Sequence, residues 1–271
     1  MEFLTTSTGP TLSVSDVGKG EAGSYLLLHG LTSAKRYVLM GSKLLQKSGC
    51  RTVSYDARGH GTSTGALAPD EYRYESLVVD LLEVMSATSL DRPIGVGVSM
   101  GAHTLAAAAA ADPNRFSGLL FITPAYTPTS KLTAEAEAHW RALADGLRSG
   151  GGEGFVAAGA VESVDPRWRD LAARATLQRM ALHEHPDAVA DALEVVPWSR
   201  PFDSWDQFKL LNCPVTVIGS RDAADPGHPL AVSEEWADSI PNARLALEDE
   251  GESPLAWRGS SISKLALELS D

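Results

Sequence analysis

The chain has 271 residues and a formal net charge of −12. Its length suits one α/β domain with an inserted segment, and its acidic balance argues against nucleic acid and anionic membranes as partners. The first residues hold no basic region or apolar run, and no stretch approaches the roughly 20 apolar residues of a membrane span, which predicts a cytoplasmic protein without a secretion signal. The two cysteines, Cys50 and Cys213, are expected to be buried thiols.

In the first half of the chain, short apolar runs alternate with helical patterns, such as the apolar stripe of Leu77, Leu81 and Met85. The patterns predict an edge strand over residues 11–14, further strands over 24–28, 52–55, 94–98 and 119–123, and helices over 35–47, 71–87 and 100–111. Strands that alternate with helices imply right-handed crossovers. We therefore expect a mostly parallel, doubly wound α/β sheet with helices on both faces.

The alternation stops after residue 124 and returns near residue 201. Between these points the sequence predicts three helices and no strand, and we interpret the stretch Ser149-Gly150-Gly151-Gly152 as a hinge. We therefore expect an inserted helical cap over residues 125–200, and a core formed by residues 1–124 and 201–271. The second part of the core is predicted to contain strands at 214–219 and 244–248. Its predicted helices are one at 203–211, one that ends at about residue 239, and one at the end of the chain.

One stretch carries the clearest chemical pattern. Gly97, Ser99 and Gly101 follow a predicted buried strand and fit G-x-S-x-G, the pattern of a nucleophile elbow. In such a turn the glycines remove Cβ atoms where strand and helix cross, and the serine hydroxyl points out of the sheet. The Met100 N–H would then lie at a helix N-terminus, where it can stabilise an oxyanion. The alternative is a junction of small residues without chemistry.

Three further motifs accompany the elbow. They are His29-Gly30 after the strand at 24–28, Asp56-Ala57-Arg58-Gly59-His60-Gly61-Thr62-Ser63 after the strand at 52–55, and an acidic loop after the strand that ends at Gly219. With these motifs in this order, the chain resembles the α/β-hydrolase fold superfamily of serine hydrolases over nearly all of its length. The resemblance implies that the Leu31 N–H is a second oxyanion donor beside that of Met100.

The acidic loop offers two candidates for the catalytic acid that the resemblance implies. Asp222 lies three residues after Gly219, the spacing usual in the family. Asp225 instead matches the family's D-P-x-x-P pattern together with Pro226 and Pro229. We favour Asp225, because the two prolines fix that turn. The other aspartate would be a solvated loop charge or a turn former.

The family's catalytic histidine is missing from its usual place. The resemblance puts it in the loop after the last strand, but that loop has Glu252 at this point and no histidine follows His228. A serine hydroxyl needs a base with a pKa near neutrality, whereas a solvated glutamate has a pKa of about 4.3. Glu252 would serve as the base only after strong desolvation. Ester hydrolysis therefore requires a histidine from elsewhere or does not occur.

His228 is the candidate for this replacement base, because its loop lies at the same end of the predicted sheet as Ser99. The plainer interpretation, a residue of the loop or of the following helix start, carries more weight. We expect structural roles for His29 in the oxyanion loop, for His60 in the next turn and for His103 under the elbow. The remaining histidines belong to the predicted cap, where one of them could line a pocket: His139, His183 and His185.

Three functions are open at this point, and we favour the first. It is an enzyme that cleaves a small apolar ester, lactone or thioester, with Ser99 as nucleophile and Asp225 orienting a relocated base. The second is a catalytically degenerate protein that binds a small ligand, and the third is a lyase or cyclase that uses the same pocket. In each case we expect a small-molecule partner, no cofactor and no metal, because no metal-ligand spacing occurs among the seven histidines. The oligomeric state is left open.

Overall fold

An eight-stranded sheet runs through the protein, in a computed structural model that describes residues 2–131, 133–221 and 225–270. Its strands are β1 (Phe3–Thr5), β2 (Thr11–Val17), β3 (Ser24–Leu28), β4 (Arg51–Tyr55), β5 (Ile94–Val98), β6 (Gly118–Ile122), β7 (Val215–Ile218) and β8 (Ala243–Ala246). They lie in the order β1-β2-β4-β3-β5-β6-β7-β8. Strands β1 and β2 are antiparallel to their neighbours, whereas the pairs from β4 to β8 are parallel. The predicted mostly parallel α/β sheet is confirmed.

Helices cover both faces of this sheet. The helices are α1 (Leu44–Lys47), α2 (Tyr74–Ala87), α3 (Met100–Ala111), α4 (Ala134–Phe155), α5 (Pro166–Met180), α6 (Pro186–Val195), α7 (Leu230–Ser239) and α8 (Gly259–Leu267). In β3, Leu26 and Leu28 pack in an apolar layer with α2, α3 and α7, while Tyr25 and Leu27 pack in a second layer with α1 and α8. Because both faces of the inner strands are buried, these strands are continuous apolar runs. Within the described ranges, no helix has both the length and the apolar character that a membrane span requires.

The amino-terminal edge of the sheet differs from the prediction. Strand β2 is longer than the predicted edge strand and is not at the edge, because β1 pairs with its outer side, Phe3 with Ser13 and Thr5 with Thr11. The three residues of β1 are too few to show an alternating pattern. Pairing with β2, and not local sequence, makes them a strand.

Two predicted helices are much shorter than expected. Residues 35–47 form only a 3-10 turn, Lys35–Tyr37, and the short helix α1. Met40, at φ 46°, and Gly41, at φ 77°, have left-handed backbones that end the helical path between them. Residues 203–211 form only the 3-10 turn Trp205–Phe208. Both predictions of a full helix are wrong, and for residues 35–47 the reason is that apolar spacing does not report the handedness of individual residues.

The segment between β6 and β7 is helical and has its own apolar cluster. Side chains from α4, α5 and α6 form it, among them Leu147, Met180 and Leu193. Helix α4 is kinked at Gly151, whose φ is 57°, and a Cβ at Gly146 would lie 2.5 Å from the Gly154 carbonyl oxygen. The glycine-rich stretch therefore turns the chain back on itself inside the helical segment. This stretch, which the sequence predicts to be a hinge, does not lie where the helical segment joins the sheet. The division into a core and a cap at residues 125–200 stays a prediction.

A buried ion pair fixes the turn that follows β4. Arg58 and Asp80 pair at 2.7 Å, with side chains that are 0% and 1% exposed. Arg58 also donates to the Glu71 carbonyl at 2.9 Å. The pair attaches the turn to α2, and the two groups satisfy each other's charge where water does not reach them.

Asp80→Asn should lower the free energy of unfolding by about 3–5 kcal/mol, because it leaves the Arg58 charge buried without its partner. Urea denaturation at neutral pH measures this change. The matched control is Glu137→Gln, which removes an exposed ion pair with Arg141 and should cost less than about 1 kcal/mol. Equal effects of the two substitutions would contradict the role given to the buried pair.

Candidate active site

Ser99 lies on a sharp turn between β5 and α3. Its backbone has φ 48° and ψ −111°, a conformation that residues with a side chain rarely adopt. The Ser99 N–H donates to the Ile122 carbonyl at 2.9 Å, and the Ser99 carbonyl accepts from the His103 N–H at 2.9 Å. Strand β6 and the first turn of α3 thus hold the strained residue at the carboxyl end of the sheet.

Two glycines make room for this turn. A Cβ at Gly97 would lie 2.5 Å from the Gly101 carbonyl carbon, and a Cβ at Gly101 would lie 2.4 Å from the Leu28 carbonyl oxygen. Both separations are far below van der Waals contact, and the atoms that would be met belong to the backbone and cannot move aside. The G-x-S-x-G pattern is therefore a packing requirement of the crossing between α3, β5 and β3.

The Ser99 hydroxyl contacts an imidazole, which in turn contacts a carboxylate. Ser99 Oγ lies 2.9 Å from His228 Nε2, and His228 Nδ1 lies 2.7 Å from Asp225 Oδ1. An ionised carboxylate only accepts hydrogen bonds, so His228 donates through Nδ1 and its Nε2 is able to accept the Ser99 proton. The structure thus brings together three of the residues that the sequence singled out.

One short loop supplies both the imidazole and the carboxylate. The loop follows β7 and leads into α7, and His228 comes three residues after Asp225. The His228 N–H donates to the Asp225 carbonyl at 3.2 Å, which closes the turn between them. The imidazole beside Ser99 therefore comes from the loop after β7 and not from the loop after β8. The other candidate acid, Asp222, lies outside the described residues.

The two side chains of this loop shift each other's pKa. Burial opposes the protonation of His228, but the negative charge of Asp225 and the hydrogen bond to it outweigh burial and hold the pKa of His228 above its ordinary 6.5. Burial also favours the neutral form of Asp225, yet the His228 charge prevails and the pKa of Asp225 is lowered. Asp225 is therefore an anion near neutrality, and its charge makes the imidazole of His228 a stronger base than an ordinary histidine.

Three other histidines have both ring nitrogens engaged. His29 donates from Nδ1 to the Gly30 carbonyl at 2.8 Å and accepts at Nε2 from the Ala57 N–H at 2.9 Å. His60 donates to the Arg58 carbonyl and accepts from the Thr32 N–H. His183 accepts from the Gly61 N–H and donates to the Thr32 carbonyl. Burial lowers the pKa of all three, that of His183 to about 4. They are neutral supports of the loops after β3 and β4, and none of them has a nitrogen left for Ser99.

His103 is also fully engaged. Its Nε2 accepts from the Ala125 N–H at 3.0 Å, so its Nδ1 carries the proton and donates to the Tyr74 hydroxyl at 2.8 Å. Burial lowers the pKa of His103 to about 3. The residue therefore stays neutral beneath the elbow and ties α3 to α2 and to the chain after β6.

Glu252 does not reach Ser99. Its carboxylate pairs with Arg258 at 2.7 Å, and the two side chains are 48% and 35% exposed. A carboxylate in this position is not desolvated, which was the condition for it to act as a base. His139 and His185 are likewise exposed.

Two main-chain N–H groups lie at the carboxyl ends of adjacent strands beside Ser99. Leu31 follows β3, which pairs with β5 in the register Leu28 with Gly97, and Met100 is the first residue of α3. Within the described part of the chain, neither N–H donates to a protein acceptor. Both are therefore available to a ligand oxygen.

Sequence reasoning missed Glu248, which is buried at the base of the loop that carries Asp225. Its carboxylate accepts hydrogen bonds from Ser220 Oγ at 3.2 Å, from the Arg221 N–H, and from the Leu255 N–H at 3.4 Å. Glu248 therefore ties the loop after β7 to the loop after β8. Its signal in the sequence, a carboxylate at the end of a strand, is the same as that of a solvated loop residue.

The chain is similar to hydrolases in sequence and in fold. The family model described as the alpha/beta hydrolase fold matches residues 26–258. A protein of Rhizobium rhizogenes, provisionally named carbamate hydrolase RutD, is 29% identical over 206 residues, which cover 74% of this chain and 74% of the relative. A thermophilic esterase from Thermogutta terrifontis has a TM-score of 0.76 at 24% identity, over 99% of this chain and 98% of the esterase. An enol-lactonase from Burkholderia xenovorans has a TM-score of 0.75 at 22% identity, over 98% of each chain. Identities this low in the solved structures show a shared fold alone.

The imidazole of His228 should titrate above pH 6.5, whereas His103 and His183 should stay neutral from about pH 5 to 8. Long-range ¹H–¹⁵N NMR spectra recorded over this pH range report the protonation state of each histidine side chain. The signal that is missing in His228→Gln is assigned to His228. Asp225→Asn removes the charge that raises this pKa, and burial then lowers it below 6.5. An unchanged His228 pKa in Asp225→Asn would contradict the pairing.

Proposed function

Because the chain belongs to the alpha/beta hydrolase fold family, we propose that it is a serine hydrolase that cleaves a small ester, lactone or thioester. The observation that carries the proposal is the line of contacts from Ser99 Oγ to His228 Nε2 at 2.9 Å and from His228 Nδ1 to Asp225 Oδ1 at 2.7 Å. A hydroxyl, an imidazole and a carboxylate in this order are the groups that nucleophilic acyl transfer requires. The proposal gives the role of base to His228 and not to Glu252.

In the first half of the reaction, Ser99 Oγ attacks the carbonyl carbon while His228 Nε2 takes its proton. The electron pair of the carbonyl bond moves to the oxygen, where the Leu31 and Met100 N–H groups stabilise the negative charge. The tetrahedral intermediate then breaks the bond to the leaving oxygen or sulfur, which receives the proton from His228. In the second half, water attacks the acyl-enzyme in the same manner and releases the acid and the Ser99 hydroxyl.

Asp225 has a positioning and electrostatic role in this scheme. By accepting from Nδ1 at 2.7 Å it selects the tautomer in which Nε2 faces Ser99 without a proton. Its negative charge also stabilises the imidazolium that forms when Ser99 attacks. The raised pKa of His228 is a consequence of the same contact, opposed by burial.

The helical segment after β6 is the proposed cap of this site. Leu31 packs against the apolar cluster of α4, α5 and α6, and also against a second cluster that contains Met100 and residues of α6. Apolar side chains beside the two oxyanion donors exclude water and favour an apolar acyl chain. The name of the Rhizobium relative adds carbamates to the substrates to be tested, because a carbamate offers a carbonyl carbon to the same attack.

Ser99→Ala should abolish covalent labelling by a fluorophosphonate probe and lower kcat/KM for p-nitrophenyl butyrate by at least about 10³-fold, because it removes the nucleophile. His228→Gln should cause a loss of similar size, since the hydroxyl then has no base. Mass spectrometry of the labelled peptide and steady-state kinetics measure these effects, with p-nitrophenyl esters and carbamates as the substrate panel.

The matched control is Glu252→Gln, which changes an exposed carboxylate and should leave labelling and turnover within about twofold of the wild type. If Glu252→Gln were as damaging as His228→Gln, the assignment of the base would be wrong. If the wild type were not labelled anywhere between about pH 6 and 9, where the base is neutral for at least part of the range, the hydrolase proposal would fail in favour of a ligand-binding protein.

The pH dependence of kcat/KM gives a separate test. Activity on a neutral ester should rise with pH through the pKa of His228, because only the neutral imidazole accepts the Ser99 proton. The midpoint should lie above 6.5, since the Asp225 charge outweighs burial. A midpoint near the ordinary glutamate pKa of about 4.3 would instead assign the base to a carboxylate.

A further inference from the structure

Helix α5 carries Arg179, whose guanidinium forms no ion pair with a carboxylate of the described residues. The Arg179 side chain is partly buried, its Nε is fully buried and donates to no acceptor, and no ion pair joins it to a carboxylate within the described ranges. By contrast, the buried guanidinium of Arg58 is paired with Asp80, and even the partly exposed Arg148 is paired with Asp191 and Glu194. A guanidinium that is removed from water and left unpaired destabilises the fold. Since no described residue forms an ion pair with Arg179, we look for its countercharge in a bound ligand.

Hydrogen bonds of His183 attach the chain just after α5 to the loops beside the site. Four residues after Arg179, His183 donates to the Thr32 carbonyl at 3.1 Å and accepts from the Gly61 N–H at 2.8 Å. These bonds attach the end of α5 to the loop that holds Leu31, the proposed oxyanion donor. The helix that carries Arg179 is thus tied at its carboxyl end to the loop that would hold the substrate carbonyl.

The guanidinium is within electrostatic reach of the proposed catalytic groups. Burial lowers the pKa of Arg179, and the negative charge of Asp225 acts in the opposite direction. Burial and their mutual pairing dominate the pKa values of Asp225 and His228, and the Arg179 charge lowers both of them as well. A free cation here disfavours the imidazolium that forms when Ser99 attacks. An anion bound to Arg179 would cancel that effect, so a negatively charged substrate would gain both binding and reactivity.

We propose that Arg179 binds a carboxylate of the substrate, so that the ester, lactone or thioester attacked by Ser99 carries a second, ionised acid group. This inference rests on the proposed function and specifies its substrate class. One guanidinium supplies a single positive charge and a planar fork of donors, which matches a planar monoanion better than a phosphate dianion. The expectation of a wholly apolar substrate is replaced by an apolar chain that ends in a carboxylate.

The experiment compares two substrates that differ only in this charge, mono-p-nitrophenyl glutarate and its methyl ester. The wild type should prefer the free acid by about 10- to 100-fold in kcat/KM, the usual effect of a hydrogen-bonded charge pair. Arg179→Met should reduce the preference to near one. Arg179→Lys should keep part of it, since the charge remains and the fork is lost. Rates measured with Ser99→Ala are subtracted to remove the uncatalysed reaction.

The ratio between the two substrates isolates the effects that require the substrate's carboxylate. In the free enzyme, loss of the Arg179 charge changes the His228 pKa in the same way for both esters, so that part of the change cancels in the ratio. The matched control is Arg174→Met, which removes an exposed arginine from the same helix and should leave the preference unchanged. Thermal unfolding followed by circular dichroism checks the fold of each variant; if Arg179→Met does not fold, the wild-type ratio and Arg179→Lys decide.

The possible outcomes distinguish this inference from the proposed function. If the wild type hydrolyses the methyl ester as fast as the free acid, or if Arg179→Met slows both substrates by the same factor, the carboxylate assignment is overturned and the serine hydrolase stands. If neither ester is hydrolysed and Ser99 is not labelled, the proposed function itself fails and this inference fails with it.

Discussion

The backbone of Ser99 is held at a positive φ by three elements at once. Strand β6 accepts its N–H through Ile122, the first turn of α3 donates to its carbonyl through His103, and β3 approaches so closely that Gly101 has no space for a Cβ beside Leu28. The hydroxyl is therefore positioned by main-chain contacts between parallel strands and not by its own rotamer. The loops after β3 and β7 carry Leu31 and His228, and the roles proposed for these residues depend on this one fixed position.

The acid and the base of the proposed mechanism come from a single turn after β7. Because Asp225 and His228 are three residues apart, one loop conformation sets both the tautomer of the imidazole and its distance to Ser99. The loop after β8 then has a supporting function. Its Glu248 accepts hydrogen bonds from Ser220 and Arg221 at the start of the loop that carries Asp225. The resemblance would have put the catalytic base in the loop after β8, but this loop instead supplies a buried carboxylate that supports the loop after β7.

The distribution of charge around the site follows from burial. Four histidines beside it are doubly hydrogen-bonded and neutral, because desolvation penalises their protonated forms. These four imidazoles therefore add no positive charge beside the imidazolium that the reaction would form, whereas Arg179 does add one. A cation near the site destabilises the imidazolium when a neutral substrate is bound, whereas an anionic substrate neutralises the cation. The proposed role of Arg179 is therefore to favour anionic over neutral substrates.

From the order of amino acids alone, the inner strands and the elbow at Ser99 were predictable, because apolar runs and small-residue turns are local patterns. The resemblance to serine hydrolases left Asp222 and Asp225 as candidate acids, with Asp225 favoured, and it left His228 or a desolvated Glu252 as the candidate base. Only the tertiary structure assigned a partner to each imidazole, since a ring nitrogen is free or occupied according to contacts from far along the chain. His103 is engaged by Tyr74, whereas His228 lies beside a serine 129 residues away. Apolar periodicity carries no information about such polar pairings, and it therefore did not reveal the role of Glu248. Strand β1 was also not predicted, because its three residues are too few to show a pattern.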